Sequence, residues 1–284
     1  MTRTERWILA AILVFTVGSL SGIAAAQAAE CEACKGMEGF VEPSEIPREI
    51  FMMVGADDDG LGDENVAVQK ARGVIETGLV TAFAAGGQCP EIDSETWAID
   101  YTHKRPRAAL HKGVDIPQPR GTSIRAIAAG VVVGKSRNRR SRKGIEVVLR
   151  HRPEDTGLPF WTYSQYTHLE DMSPLVVGAV VAMGDEIGRT GNSGKQGRRE
   201  RRDALHLAVL YSPVPEWSND GKAVLPKDGR FMDPAAFYRL SEPWESVAAG
   251  KLSGAEKQIP VPWMDASGKA TPPDTKRIWP YPCR

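Results

Sequence analysis

Three of the five histidines of this chain stand where their side chains could take part in chemistry. His111 and Asp115 are four positions apart, and on a β-strand residues with this separation point to the same face. Gly113, halfway between them, would relieve crowding between the two side chains. His206 lies in an apolar run, Ala-Leu-His-Leu-Ala-Val, where a histidine is either buried with hydrogen-bond partners or bound to a metal.

Two neutral imidazoles and one carboxylate suit a hydrolytic zinc site. They would leave the fourth tetrahedral position open for water, and zinc lowers the pKa of such a water to about 7. The spacing alone does not select this interpretation, because a His-x-x-x-Asp pair also arises by chance. A histidine on an apolar strand is more often structural, so the surrounding sequence has to decide.

Short segments rich in Val and Ile, bounded by Gly or Pro, surround these residues and predict strands. Their spacing indicates an antiparallel, mainly β fold rather than alternating strand and helix units. The predicted strands span residues 113–116, 124–133, 145–149, 160–166, 176–181 and 204–211. A short helix is predicted over residues 231–240, with Asp233 as its cap and Pro234 at its first position.

The segments that flank this β-rich region differ from it in composition. Residues 30–100 contain 16 acidic and 4 basic residues, and helical spacing of apolar residues predicts a helix over 64–85. Residues 101–206 reverse the balance, with 20 basic and 10 acidic residues. One hypothesis is that the acidic segment folds over the basic region and closes it. Residues 241–284 are rich in Pro and Trp and are expected to wrap the surface.

The N-terminus predicts export. Arg3 and Arg6 precede an apolar stretch over residues 7–23, and Ala26-Gln27-Ala28 fits a cleavage site, so residues 1–28 are predicted to be a signal peptide. If this segment stays uncleaved, it would instead anchor the chain in the membrane. Both readings place the remainder in the periplasm or cell envelope.

The four cysteines agree with an oxidising compartment. Cys31, Cys34, Cys89 and Cys283 allow three pairings, and the sequence does not choose among them. Cys31-x-x-Cys34 has no thioredoxin-like pattern around it, so structural disulfides are favoured over a redox pair.

Two basic clusters, residues 137–143 and 198–202, lie between predicted strands. Lys and Arg neutralise phosphates, but these clusters lack interleaved aromatic residues, and an exported protein seldom meets nucleic acid. We therefore expect solvated loops, or electrostatic steering toward an anionic cell wall, and no nucleic-acid partner.

Five ordered blocks of sequence resemble the lysostaphin-type, or LytM-like, zinc endopeptidases over residues 108–240. They are His111 through Pro117, Gly121 through Val132, Tyr166-Thr167-His168-Leu169, Gly178 through Gly194 with its recurring glycines, and Leu205-His206-Leu207. The resemblance implies an antiparallel β-sheet groove, and members of this family cut peptide cross-links in peptidoglycan or short glycine-rich peptides.

The resemblance also implies roles for individual residues. His111, Asp115 and His206 match the three zinc ligands of the family. His168 matches a histidine that does not bind the metal but orients the water and stabilises the oxyanion. The implied cofactor is Zn²⁺, and the implied binding partners are peptidoglycan peptides.

One position departs from the family pattern. The first histidine of the family's His-x-His motif is Ala204 here, and an alanine methyl can neither accept nor donate a proton. General acid–base catalysis contributes typically about 10²–10⁴-fold, so this change is expected to slow hydrolysis. Asp203 or His151 could supply the missing function, His168 alone could suffice, or the protein could bind zinc and wall without cutting.

The sequence thus predicts four parts and two candidate functions. The parts are a signal peptide (1–28), an acidic, partly helical extension (29–100), a LytM-like zinc peptidase domain (101–240) and a C-terminal tail (241–284). The leading function is a zinc metalloendopeptidase acting on peptidoglycan. The alternative is a non-catalytic module of the same fold that binds cell wall or regulates a partner cell-wall hydrolase.

Overall fold

The computed structural model describes residues 31–55, 62–100, 110–138, 143–194 and 202–284. The predicted signal peptide and most of both basic clusters lie outside these residues. Within the described residues, no helix combines the length and the apolar character needed to cross a membrane.

Strands outnumber helices and lie mostly in short segments. The helices are α1 (Arg48–Val54), α2 (Gly62–Ala71), α3 (Pro153–Thr156) and α4 (Ser246–Ala249). The strands are β1 (Val80–Phe83), β2 (Val114–Pro117), β3 (Ser123–Arg125), β4 (Gly130–Asn138), β5 (Gly144–His151), β6 (Trp161–Thr167), β7 (Val180–Val181), β8 (Glu186–Arg189), β9 (Ala204–Ser212), β10 (Trp217–Asn219), β11 (Val224–Pro226), β12 (Arg230–Met232), β13 (Gln258–Val261), β14 (Trp263–Asp265), β15 (Ala270–Thr271) and β16 (Pro282–Cys283).

One antiparallel sheet of seven strands forms the centre of the fold. Its order is β12-β9-β6-β5-β4-β7, and β2 also pairs with β9. Strands β2, β5, β6 and β9 fall where the sequence predicts them, because each is a short run rich in β-branched, aromatic or other apolar residues. The mainly β, antiparallel fold class is therefore confirmed. The predicted strand over 124–133 divides into β3 and β4, and that over 176–181 shortens to β7.

The strand register places the site residues on one face of this sheet. Asp115 lies opposite His206, His206 opposite Thr167, and Thr167 opposite Glu146. Directly opposed residues on neighbouring strands project to the same side of a sheet. We call this side the site face.

The site face has a second half, away from Asp115 and His206, and other segments of the chain cover this half. Val148, Tyr163, Gln165 and Leu210 lie on this face and line a small cavity together with Val54 of α1, Phe231 of β12, and Val224 and Pro226 of β11. The amide of Asn219 in β10 donates to the carbonyl of Val133 over 2.9 Å. The groove that the family resemblance implies is thus filled over this half by the N-terminal residues and the β10–β11 hairpin.

The predicted helix over 64–85 is wrong in its second half. Helix α2 ends at Ala71, and Gly73 adopts a φ of 103°, which only glycine accommodates readily. Val80–Phe83 then form β1, which pairs in parallel with β13 near the C-terminus. Leu79 and Val80 suit a strand as well as a helix, and pairing with the distant strand β13 determines that a strand forms.

The predicted helix over 231–240 is also largely wrong. Phe231 and Met232 belong to β12, which pairs with β9, and a single 3₁₀ turn follows at Ala236–Tyr238. Asp233 is not the cap of this turn, whose N-cap residue is Ala235, but its carboxylate accepts from the backbone N–H of Ala235 over 2.8 Å. Pairing with the free edge of β9 stabilises a strand at Phe231 and Met232 more than the local sequence favours a helix.

The C-terminal tail enters the interior instead of only wrapping the surface. Ile278, Trp279 and Tyr281 are buried. Two disulfides are present, Cys31–Cys34 and Cys89–Cys283, and the second joins the N-terminal extension to the end of the tail. Trp279 and Tyr281 therefore belong to the core, and Trp244 and Trp263 of the tail are partly buried and pack against it.

Candidate metal centre

His111, Asp115 and His206 come together as the sequence predicts. Their ligand atoms all lie within 4.8 Å of one another. Nε2 of His111 is 3.3 Å from one carboxylate oxygen of Asp115, and Nδ1 of His206 is 3.0 Å from the other. The two imidazole rings are 4.9 Å apart between centroids. Two imidazole nitrogens and a carboxylate oxygen facing one point are a donor set that fits zinc.

A backbone carbonyl fixes the orientation of the first imidazole. Nδ1 of His111 lies 3.0 Å from the carbonyl oxygen of Thr96. Because a carbonyl only accepts, Nδ1 must carry a proton. Nε2 donates to Asp115 when the ring is doubly protonated, and it would offer its lone pair to a metal once that proton is lost. This is the arrangement that ligating histidines use with their outer partners. Sequence analysis missed Thr96, since a backbone carbonyl leaves no residue-type signal.

The charges in the cluster are strongly coupled. Burial raises the pKa of Asp115, but hydrogen bonds from His111 and His206 outweigh burial and hold that pKa well below its usual range. Burial likewise lowers the pKa of His111, whereas the hydrogen bond and charge of Asp115 leave it raised overall. The carboxylate is therefore ionised at neutral pH, as a metal ligand must be.

Gly113 makes room for His206 rather than for its sequence neighbours. A Cβ atom at position 113 would lie 2.6 Å from Nε2 of His206 and 2.5 Å from the carbonyl oxygen of Leu207. Real Cβ atoms do not approach other atoms this closely. The expectation that glycine relieves crowding is right, but the crowding comes from β9 across the strand pair.

His168 lies beside the cluster, at the point where β6 ends. A continued strand would place it on the opposite face from Thr167, but its φ of 67° breaks the alternation. Its ring centroid is 5.8 Å from that of His206, and its Nδ1 lies 3.1 Å from the carbonyl oxygen of Lys143. The same argument as for His111 puts the proton on Nδ1 and leaves Nε2 as an acceptor.

The two residues suggested as substitutes for the histidine missing at Ala204 have different surroundings. Asp203 has an exposed side chain whose carboxylate lies 3.8 Å from Nε of Arg120. His151 is fully buried on the opposite face of the sheet, with Nδ1 2.6 Å from the Ala129 carbonyl and Nε2 2.7 Å from the Ser164 hydroxyl. Burial lowers its pKa to about 4. The suggestion that His151 assists catalysis is therefore wrong.

A buried carboxyl on the site face was missed from the sequence. Glu146 lies opposite Thr167, in the same cross-strand row as His206, and only 2% of it is exposed. One of its carboxylate oxygens is 3.4 Å from Nζ of Lys143, and burial raises its pKa. The available signal was an acidic residue inside the apolar run Gly144–His151, because carboxylates are seldom buried without a reason.

The sequence of this region matches that of a known family. The model of peptidase family M23 matches residues 109–225, which contain the ligand cluster, His168 and most of the main sheet. Residues 109–225, which we call the M23 domain, are therefore similar to peptidase family M23. The resemblance to the lysostaphin-type enzymes is thereby confirmed. A search of curated proteins finds no match to the chain.

Three solved structures are similar to this chain over about half of its length. LytU is 24% identical, with 53% of this chain and 86% of LytU covered and a TM-score of 0.37. The catalytic domain of lysostaphin from Staphylococcus simulans is 22% identical, with 45% and 78% covered and a TM-score of 0.32. A zinc-containing peptidase from Vibrio cholerae is 21% identical, with 52% and 41% covered and a TM-score of 0.35.

Proposed function

We propose that the protein is a zinc-dependent metalloendopeptidase that hydrolyses peptide bonds in peptidoglycan cross-links in the periplasm or cell envelope. The observation that carries the proposal is the convergence of His111, Asp115 and His206 inside an M23 domain. In this proposal these three residues hold Zn²⁺. Bound zinc supplies an activated water and polarises the scissile carbonyl.

The residues around the cluster have distinct tasks. Thr96 holds the ring of His111 so that Nε2 faces the ligand position, and Asp115 offers one oxygen to each side of the cluster. His168, held through Nδ1 by Lys143, presents Nε2 as the atom that accepts a proton from the attacking water. Once protonated, the same ring can donate a hydrogen bond to the developing oxyanion.

The covered half of the site face limits how a substrate can lie. Leu210 and Tyr163 are packed under Val54 and β11, so an extended peptide cannot run along β9 from His206 toward Leu210. It has to cross the site from another direction. This geometry favours a short or sharply bent segment of substrate at the metal centre.

A specific observation supports a second candidate function. Ala204 stands where the family places a proton-handling histidine beside His168. A non-catalytic module that binds cell wall, or regulates a partner cell-wall hydrolase, would keep the zinc cluster for structure alone. In that case the metal would hold β2 against β9 without turnover.

One set of preparations distinguishes the two candidates. The purified protein is assayed for bound zinc and incubated with peptidoglycan, alongside His168→Ala and Ala204→His. The peptidase predicts one zinc per chain and released muropeptides that vanish in His168→Ala and increase in Ala204→His. Zinc without muropeptides in the wild type supports the module, and absence of zinc contradicts both.

A further inference from the structure

We propose that residues 89–100, which precede the M23 match, are a positioning element of the metal centre, and that the Cys89–Cys283 disulfide holds this element in place. We call these residues the bracing segment. The proposal rests on the metal-binding part of the proposed function and not on hydrolysis.

The bracing segment pairs with the very residues that carry two of the three ligands. The N–H of Asp93 donates to the carbonyl of Asp115 over 2.7 Å. The N–H groups of Gly113 and His111 donate to the carbonyls of Trp97 and Ile99, each over 3.1 Å. Strand β2 pairs with β9 on one side, so the bond from Asp93 to Asp115 lies on its other side, and the other two bonds hold the residues just before β2.

The bracing segment also orients a ligand ring directly. The Thr96 carbonyl that accepts from Nδ1 of His111 belongs to it, at 3.0 Å. Outer partners of ligating histidines contribute roughly 10–100-fold to metal affinity. A segment that supplies this carbonyl, and fixes the backbone at both His111 and Asp115, therefore sets how closely the ligand atoms are held before metal arrives.

The N-terminal end of the bracing segment is attached to the C-terminal tail. Gln88 and Arg284 exchange two backbone hydrogen bonds, at 2.9 and 3.1 Å, beside the disulfide between Cys89 and Cys283. The indole N–H of buried Trp279 donates to the carbonyl of Pro90 over 2.8 Å. The disulfide spans 194 residues, so it ties the segment to a part of the chain far away in sequence.

Side chains fasten the middle of the bracing segment. Trp97 is buried, with 3% of its surface exposed. Asp93 forms an ion pair with Arg202, which lies four residues before His206 on the way into β9. This ion pair joins the bracing segment to the residues that lead into β9, and the hypothesis that the acidic extension closes the basic region stays a prediction.

The chain offers a matched control for the disulfide. Cys31 and Cys34 are only three positions apart, so their disulfide closes a local turn and ties no distant elements together. We compare Cys89→Ser/Cys283→Ser with Cys31→Ser/Cys34→Ser in the full protein. For each we measure amide hydrogen exchange at His111 and Gly113, the zinc dissociation constant by chelator competition, and the visible spectrum with Co²⁺ in place of zinc.

The proposal predicts a selective effect. In Cys89→Ser/Cys283→Ser the two amides exchange faster, zinc binds about 10–100-fold more weakly, and the Co²⁺ bands shift. In Cys31→Ser/Cys34→Ser all three measurements stay at the wild-type values. A Trp97→Ala variant, which loosens the segment while both disulfides remain, is expected to weaken zinc binding in the same way, with the Co²⁺ spectrum separating a changed site from general unfolding.

Three results would overturn the proposal in different ways. Faster exchange with unchanged zinc affinity would show that the segment does not position the ligands. If the amides of His111 and Gly113 exchange at the wild-type rate in Cys89→Ser/Cys283→Ser, the disulfide does not hold the bracing segment in place. If the wild-type protein binds no zinc, this proposal and the proposed function are both contradicted. Zinc binding without hydrolysis would count only against the peptidase.

Discussion

Two histidine clusters on the main sheet have opposite characters. The metal centre on the site face contains His111 and His206 with a carboxylate between them. The second cluster, on the opposite face, contains His151 with the hydroxyls of Ser164 and Tyr166, which lie 3.0 Å apart. His151 is fully buried, whereas His111 and His206 are partly exposed, and the rings in both clusters lie near oxygen atoms. The clusters differ in the kind of oxygen.

The partner oxygen decides what a buried histidine can do. The carbonyl and hydroxyl around His151 carry no charge, so burial dominates and lowers its pKa to about 4. Burial also lowers the pKa of His111, but the Asp115 carboxylate reverses the direction and leaves it raised. A neutral histidine locked between neutral partners serves the core, whereas two histidines that share a carboxylate form a site for a cation.

Removing the carboxylate should have the largest effect. In Asp115→Ala both imidazoles lose their shared partner and the site loses one of three ligands. We expect zinc affinity to fall by more than the roughly 100-fold that loss of an outer partner can produce. Zinc content after dialysis against a chelator measures this. Asp203→Ala, which removes an exposed carboxylate nearby, is the control, and equal zinc in both variants would contradict the assignment.

Removing His168 should affect turnover and spare the metal. Its Nε2 is placed to accept a proton and its ring is not among the three ligands. We expect the rate of muropeptide release by His168→Ala to fall about 10²–10⁴-fold while bound zinc stays at one per chain. Release at the wild-type rate would show that His168 has no part in hydrolysis.

Removing His151 should affect stability alone. His151→Ala leaves a cavity and deprives the Ala129 carbonyl and Ser164 hydroxyl of their partner. We expect the free energy of unfolding to fall by about 2–4 kcal/mol, with zinc affinity unchanged. Urea denaturation and chelator competition test the two halves. Weakened zinc binding with an unchanged free energy of unfolding would contradict the claim that His151 serves stability and not metal binding.

Lowering the pH should reveal the same difference between the two histidine clusters, as a gradual loss of stability caused by His151. The pKa of His151 falls from its ordinary 6.5 to about 4 on folding, so the unfolded chain binds more protons between these values. His151 therefore destabilises the fold progressively as pH falls from 6.5 to 4, by about 3 kcal/mol in total. Urea unfolding of wild type and His151→Gln checks this, and the difference between their pH slopes should disappear above pH 7. Parallel slopes throughout would contradict the account.

The sequence predicts the metal ligands better than it predicts the residues that hold those ligands in position. His111, Asp115 and His206 carry residue types and motif positions that point to a metal, and short Val- and Ile-rich runs predict the strands that bring them together. Thr96 and the pairing of Cys89 with Cys283 depend on which distant segments meet, and neither leaves a local pattern. The same reason accounts for β1, whose residues favour a strand only because β13 lies beside them.

X-ray absorption spectroscopy at the zinc edge of the zinc-loaded protein tests the central claim most directly. The account predicts two imidazole nitrogens and light oxygen donors, all at about 2.0–2.2 Å in a four-coordinate site. A spectrum with fewer than two imidazoles would contradict it. So would sulfur ligands, because all four cysteines are in disulfides.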